Sequence, residues 1–159
     1  MHVRTTMTRD VLFVAPEDSL AEAYELMREN RIRHLAVVED NRLAGVLSEK
    51  DVFLFSEVDG DRMHVREFAV ADAMTEDVLT CRPGTTVGDA AALMIEKQIN
   101  CLPVTTADGA LVGMITSSDL LDLLRMREER IASEEIPFAF RIKALPIASK
   151  DMCRKVFTI

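Results

Sequence analysis

Apolar positions along the chain fall into short blocks with two alternating periods, and the same succession of blocks occurs twice. A β-prone run from Val11 to Val14 ends at a turn containing Pro16. It is followed by Leu20, Ala23, Tyr24 and Met27, the i, i+3, i+4, i+7 spacing of a helix with one apolar face. Two further runs, Leu35 to Glu39 and Leu43 to Leu47, meet at the polar stretch Glu39-Asp40-Asn41-Arg42, as a hairpin requires. A second helix is expected to start near Glu49. The later copy repeats each step: Val78 to Cys81 before Pro83, the stripe Val87, Ala90, Ala91 and Met94, the runs Leu102 to Thr106 and Leu111 to Thr116, and a helix from Ser117. Ser19 with Glu22, and Thr86 with Asp89, have the spacing at which a hydroxyl and a carboxylate cap the free amides of a first helical turn.

The duplication holds residue by residue. An offset of 67 carries Met7-Thr8-Arg9-Asp10-Val11-Leu12 onto Met74-Thr75-Glu76-Asp77-Val78-Leu79, and then Pro16 onto Pro83, Ala23 onto Ala90, Ile32 onto Ile99 and Val37 onto Val104. One extra residue in the turn around Asp108-Gly109 makes the offset 68, and Gly45 meets Gly113 while Asp51 meets Asp119. The expected class is therefore α/β (α+β), built from tandem βαββα units. Helices on one side of a small sheet leave its other side bare, so the two units should pack together about a pseudo-twofold axis. The expected boundaries are 1–56 for the first unit, 57–69 for a linker, 70–125 for the second unit and 126–159 for a helical extension and tail. The acidic stretch Ser56 to Glu67, with Gly60 in it, reads as flexible. The last helix is expected to run through Arg125 to Glu135 and stop at Pro137. Beyond it, Phe138, Phe140 and Ile142 alternate as in a short strand.

Charge and composition narrow the chemistry. The net charge is −8, and it is uneven: residues 1–136 carry 14 basic and 26 acidic side chains, residues 137–159 five basic and one acidic. An acidic body repels phosphate backbones, which argues against nucleic acid as a partner. No apolar run approaches the roughly 18 residues of a membrane span. Met1 to Arg9 lacks the pattern of a secretory signal, so a cytoplasmic location is expected. Cys81, Cys101 and Cys153 show neither disulfide nor zinc-knuckle spacing. His2, His34 and His64 lack metal-ligand spacing, and no nucleophile, Walker or Rossmann motif occurs. The chain does not read as an enzyme, and no metal or required cofactor is indicated.

Val70-Ala71-Asp72-Ala73-Met74, Thr80-Cys81-Arg82-Pro83, Asn100-Cys101-Leu102-Pro103-Val104 and Gly113 through Leu121, in that order and with their first-unit counterparts, resemble the cystathionine-β-synthase (CBS) domain family. The resemblance covers about residues 1–125, and the first unit departs from it at His34-Leu35-Ala36-Val37, which lacks the proline of the second. Paired CBS motifs, often called Bateman modules, are mostly regulatory, and many bind AMP, ADP, ATP or S-adenosyl compounds between the repeats. The family signature of Gly, two apolar residues, Ser or Thr, two further residues and Asp is matched by Gly45 through Asp51 and by Gly113 through Asp119.

The resemblance implies that Asp51 and Asp119 take ribose hydroxyls and that Ser48 and Thr116 lie near phosphate. That assignment is chemically reasonable: a carboxylate accepts from vicinal hydroxyls, and a hydroxyl at a helix start joins free amides in holding an anion. An isolated match would read first as a helix cap and an ordinary first-turn acid, and it is the repeat context that turns the reading toward binding. For a nucleotide on Asp119, Arg33 or His34 is expected to reach the phosphates, with the base against Thr80, Cys81, Leu102 and Pro103.

The resemblance further implies a homodimer. With no catalytic or transport motif in these 159 residues, the regulated protein is expected to be a separate chain. The competing reading is a structural dimerisation or protein-interaction module with degenerate sites. Intact aspartates in both units weigh against it.

Overall fold

The structure is a computed structural model that describes residues 1–59 and 62–132. The first unit comprises β1 (Phe13–Val14), α1 (Leu20–Asn30), β2 (His34–Glu39), β3 (Arg42–Ser48) and α2 (Glu49–Leu54). Its strands form one sheet in the order β1-β2-β3, with β1 parallel and β3 antiparallel to β2. Next come β4 (Ser56–Asp59), β5 (Arg62–Val65) and the short α3 (Val70–Ala73). The second unit follows as α4 (Val87–Lys97), β6 (Cys101–Thr105), β7 (Leu111–Thr116) and α5 (Ser117–Ala132), with β6 and β7 antiparallel.

Local chemistry sets these boundaries. The Ser19 and Thr86 hydroxyls cap α1 and α4 by accepting from the backbone amides of Glu22 and Asp89. Both helices end on a left-handed residue, Arg31 and Gln98, each with φ of 54°. The β2–β3 turn uses Asp40 and Asn41 at positive φ, the requirement of a tight two-residue hairpin loop. The expected strand from Val78 to Cys81 shrinks to a single parallel bridge between Cys81 and Val104. Both backbone groups of Cys81 are paired, to Pro103 and Thr105 at 3.0 Å. Pro83, two residues on, has no amide with which to extend the ladder.

The stretch expected to be a flexible connection is instead a hairpin, with Ser56 opposite Val65 and Val58 opposite Met63. Acidic side chains hide its period-two pattern in the sequence, and packing of Val65 and Phe68 against the first core holds it in place. Gly60 and the expected features beyond Ala132, namely the stop at Pro137 and the strand at Phe138, Phe140 and Ile142, lie outside the described residues.

Two cores result, and they are cross-supplied. The first gathers Leu20, Ala23, Met27, Leu35, Val37, Leu47 and Val52 with Val70, which comes from the start of the second copy. The other gathers Ala90, Met94, Leu102, Val104 and Ile115 with Val3, from the start of the first. Val3 and Val70 are equivalent positions and both are fully buried. Each therefore belongs in space to the opposite unit from the one that it precedes in sequence.

Backbone bonds fix the exchange. Val3 N–H donates to Thr85 O at 2.8 Å, and Thr8 and Met114 exchange a pair of bonds at 2.9 Å. Symmetrically, Val70 N–H donates to Asp18 O at 2.9 Å, and Thr75 exchanges bonds with Val46 at 2.9 and 3.0 Å. The signature glycines make room for these arms: a Cβ on Gly45 would stand 2.6 Å from Thr75 O, and one on Gly113 2.6 Å from Met7 Sδ and 2.9 Å from Thr8 O. All of this lies in one compact unit, Met1–Arg127.

Candidate functional site

Crossing arms create two related clefts. Each is bounded by the end of a third strand and the start of the helix after it, by the arm that crosses them, and by the loop that ends the first helix of the other unit. The Asp119 cleft, about 380 Å³, is lined by Thr116 and Asp119, by Thr8, Asp10, Val11 and Leu12, and by Arg31, Arg33 and His34. The Asp51 cleft, about 350 Å³, is lined by Ser48 and Asp51, by Thr75, Asp77, Val78 and Leu79, and by Lys97, Ile99 and Cys101. Both volumes fall at the small end of ligand pockets. A larger hollow of 820 Å³ between α1 and β5 contains none of the signature residues.

The two aspartates are held in the same way. Asp51 Oδ2 accepts from Ser48 N–H at 2.9 Å and from the Ser48 hydroxyl at 2.6 Å, while Asp51 N–H donates back to Ser48 Oγ at 3.2 Å. Asp119 Oδ2 accepts from Thr116 N–H at 2.7 Å and from its hydroxyl at 2.8 Å, and Asp119 N–H donates to Thr116 Oγ1 at 3.4 Å. These are capping boxes. They use only one oxygen of each carboxylate, so Oδ1 of either aspartate accepts no bond from the described residues. Cap and ligand acceptor are thus compatible roles. The Ser48 and Thr116 hydroxyl protons are already donated to the aspartates.

Arg33 and His34 do join Thr116 and Asp119 in one cleft. Among the described residues, the Arg31 and Arg33 guanidinium groups make no ion pair or hydrogen bond. Burial, and secondarily the charge of Arg33, pull the His34 imidazole below its ordinary pKa of 6.5, against the opposing pull of Asp51 and Glu49. His34 and Asn100 line both clefts and so lie between them. Cys101, the counterpart of His34, has its thiol pushed up to about 11 by burial and by Asp51, so it carries no charge at neutral pH.

The expected base pocket does not assemble around Asp119. Leu102 is wholly buried in the second core, Thr80 and Cys81 line neither cleft, and Pro103 lines the Asp51 cleft instead. The reason is the arm exchange, which brings Val11 and Leu12 to Asp119 and their equivalents Val78 and Leu79 to Asp51. The sequence does contain the relevant signal, because Val11-Leu12 and Val78-Leu79 are paired by the repeat. What it lacks is an indication of which copy each pair faces. Among the described residues, no group of three or more His, Cys, Asp or Glu side chains could hold a metal, and no helix is long and apolar enough to cross a membrane.

Comparison with known proteins gives a consistent result. The family model described as "CBS domain" matches residues 3–57 and 70–126. The inosine-5'-monophosphate dehydrogenase of Korarchaeum cryptofilum is 38% identical over 112 residues, covering 70% of this chain but only 22% of that enzyme. The CBS domain-containing protein YhcV of Bacillus subtilis is 30% identical over 118 residues, covering 74% of this chain and 81% of YhcV. Among solved structures, CBSX2 in complex with AMP superimposes with a TM-score of 0.72 at 29% identity, covering 80% of this chain and 98% of that one.

Proposed function

Since the chain belongs to the CBS domain family, we propose that it is a regulatory module that binds an adenosine nucleotide in the Asp119 cleft and acts on a separate protein, without catalysis of its own. One observation carries the reading: a carboxylate anchored through one oxygen, with its other oxygen free among the described residues, shares a cleft with two arginines that have no acidic partner among those residues. The free oxygen suits vicinal ribose hydroxyls, Arg33, Arg31 and His34 suit phosphate, and Val11 and Leu12 offer apolar walls to a purine. The AMP bound by the CBSX2 relative supports the choice of ligand class.

A homodimer fits the same picture. Phe53 and Leu54 on α2 are 47% and 77% exposed, and Leu121 and Leu124 on α5 are 66% and 56% exposed. Apolar groups of this size on both second helices suit a self-complementary interface. Light scattering on the free protein should give twice the chain mass.

Thermal unfolding with AMP, ADP, ATP and S-adenosylmethionine tests the proposal. A ligand that binds only the folded state stabilises by about 2.7 kcal/mol at a hundred times its dissociation constant, a rise of several degrees in a domain of this size. At least one of the four should raise Tm in a saturable way, and no shift with any of them would refute the proposal.

A further inference from the structure

The two clefts differ most in the loop that ends the first helix of each unit. In the first unit this loop is Arg31-Ile32-Arg33, and in the second Gln98-Ile99-Asn100. The backbone is the same in both, since Arg31 and Gln98 share a φ of 54° and Arg33 and Asn100 each precede the second strand of their unit. All four side chains are exposed, so none is dictated by packing. Ile32 and Ile99, which are packed against the cores, do not differ.

The charge available to each cleft follows from this loop. The Asp119 cleft has the Arg31 and Arg33 guanidiniums, neither of them paired among the described residues. Lys97 is the one lysine or arginine lining the Asp51 cleft, and its ammonium already lies 2.7 Å from Glu96 Oε1. Each cleft also contains one acid from its crossing arm, Asp10 or Asp77, so the acids do not distinguish them. Cys101, the counterpart of His34, is a neutral thiol beside the apolar Val46, Val78, Leu79 and Pro103, and His34 itself lines both clefts and so does not distinguish them. Seating a phosphate dianion there would remove its water against one lysine, itself beside a carboxylate, where the Asp119 cleft offers two guanidiniums unpaired among the described residues. A ribose presents no such difficulty, because Asp51 is held just as Asp119 is.

We propose that this loop selects ligand charge, so that phosphorylated adenosine ligands enter the Asp119 cleft alone, while the Asp51 cleft takes only adenosine ligands that carry no phosphate. The inference rests on the nucleotide-binding reading above and adds a ligand class for the second cleft, with Arg31 and Arg33 as the specificity-determining residues. One chain would then report two chemically distinct adenosine metabolites at once.

Calorimetric titration of the full chain with AMP and with adenosine tests the selector. The unsubstituted protein should bind one AMP per chain and two adenosines, and Asp51→Asn should remove one adenosine site while leaving AMP binding intact. Exchanging the loop by Arg31→Gln with Arg33→Asn should weaken AMP about 10- to 100-fold, the effect of losing charged hydrogen bonds, with adenosine nearly unchanged. The reverse exchange, Gln98→Arg with Asn100→Arg, should create a second AMP site. Because each introduced side chain already occupies the equivalent, exposed backbone position in the other unit, unfolding temperatures should stay close to that of the unsubstituted chain. Two equal AMP sites in that chain, or an AMP-to-adenosine preference that survives the exchange, would overturn the selector alone. Failure of every adenosine compound to bind would overturn the nucleotide reading together with the selector.

Discussion

The Asp119 and Asp51 clefts are framed by the same backbone and finished by different side chains. In both, a crossing arm pairs with the third strand at equivalent residues, Thr8 with Met114 and Thr75 with Val46, and a glycine one residue earlier makes room for it. In both, a hydroxyl and an aspartate close a capping box. The copies diverge in the exposed loop, where packing does not constrain positions 31 and 33 against 98 and 100, and at the half-buried first residue of the next strand, His34 against Cys101. Identity between the copies thus marks what the fold and the ribose acceptor need, and difference marks where ligand discrimination is available.

The strongest way to break this comparison is to fill the space that the arms occupy. Gly45→Ala sets a Cβ against the Thr75 carbonyl oxygen, a backbone atom that cannot move without disturbing the strand contact. Overpacking of this kind costs about 1–3 kcal/mol. Gly113→Ala should cost less, because its nearest obstruction is the flexible end of Met7, although the Thr8 oxygen at 2.9 Å still resists. Urea unfolding of both variants ranks them, and a greater cost at Gly113 would mean that the two arms do not sit as described.

A smaller effect separates His34 from Cys101. Burial keeps the His34 imidazole below its ordinary pKa of 6.5, so the folded chain binds fewer protons there than the unfolded one as the pH falls beneath that value. The stability owed to neutral His34 is complete above 6.5, declines as the pH drops, and stops declining once the folded imidazole itself protonates. Tm measured from pH 7.5 to 5.5 should therefore fall less steeply in His34→Gln than in the unsubstituted chain. Saturating AMP should flatten the unsubstituted curve, because a phosphate near His34 favours the imidazolium. Parallel curves for variant and unsubstituted chain would remove His34 from the electrostatics of the site.

Much of the fold can be read from the residues alone. The 67-residue offset, the helical stripes ending at Met27 and Met94, the capping hydroxyls Ser19 and Thr86, and the polar turns at Asp40-Asn41 and Asp108-Gly109 are local signals, and local chemistry satisfies them. The pairing of Val3 with the second core and Val70 with the first is not local. Both positions are apolar and equivalent, so nothing along the chain says which copy either one covers. The same ambiguity misdirects the base pocket to Leu102, whose apolar character reflects core burial. The hairpin at Ser56–Val65 escapes for another reason: its alternation is carried by acids and a few apolar residues, whose weight emerges only when Val65 and Phe68 find the first core.

The central claim is that Asp119 carries the nucleotide. Asp119→Asn is the sharpest probe, since a side-chain amide can still cap α5 through its oxygen while presenting an NH₂ group where the ribose hydroxyls require an acceptor. In AMP titrations beside Asp51→Asn, Asp119→Asn should lose about 10-fold or more in affinity, the value of a charged hydrogen bond, and Asp51→Asn should lose little. Unchanged AMP affinity in Asp119→Asn, or a loss confined to Asp51→Asn, would contradict the assignment.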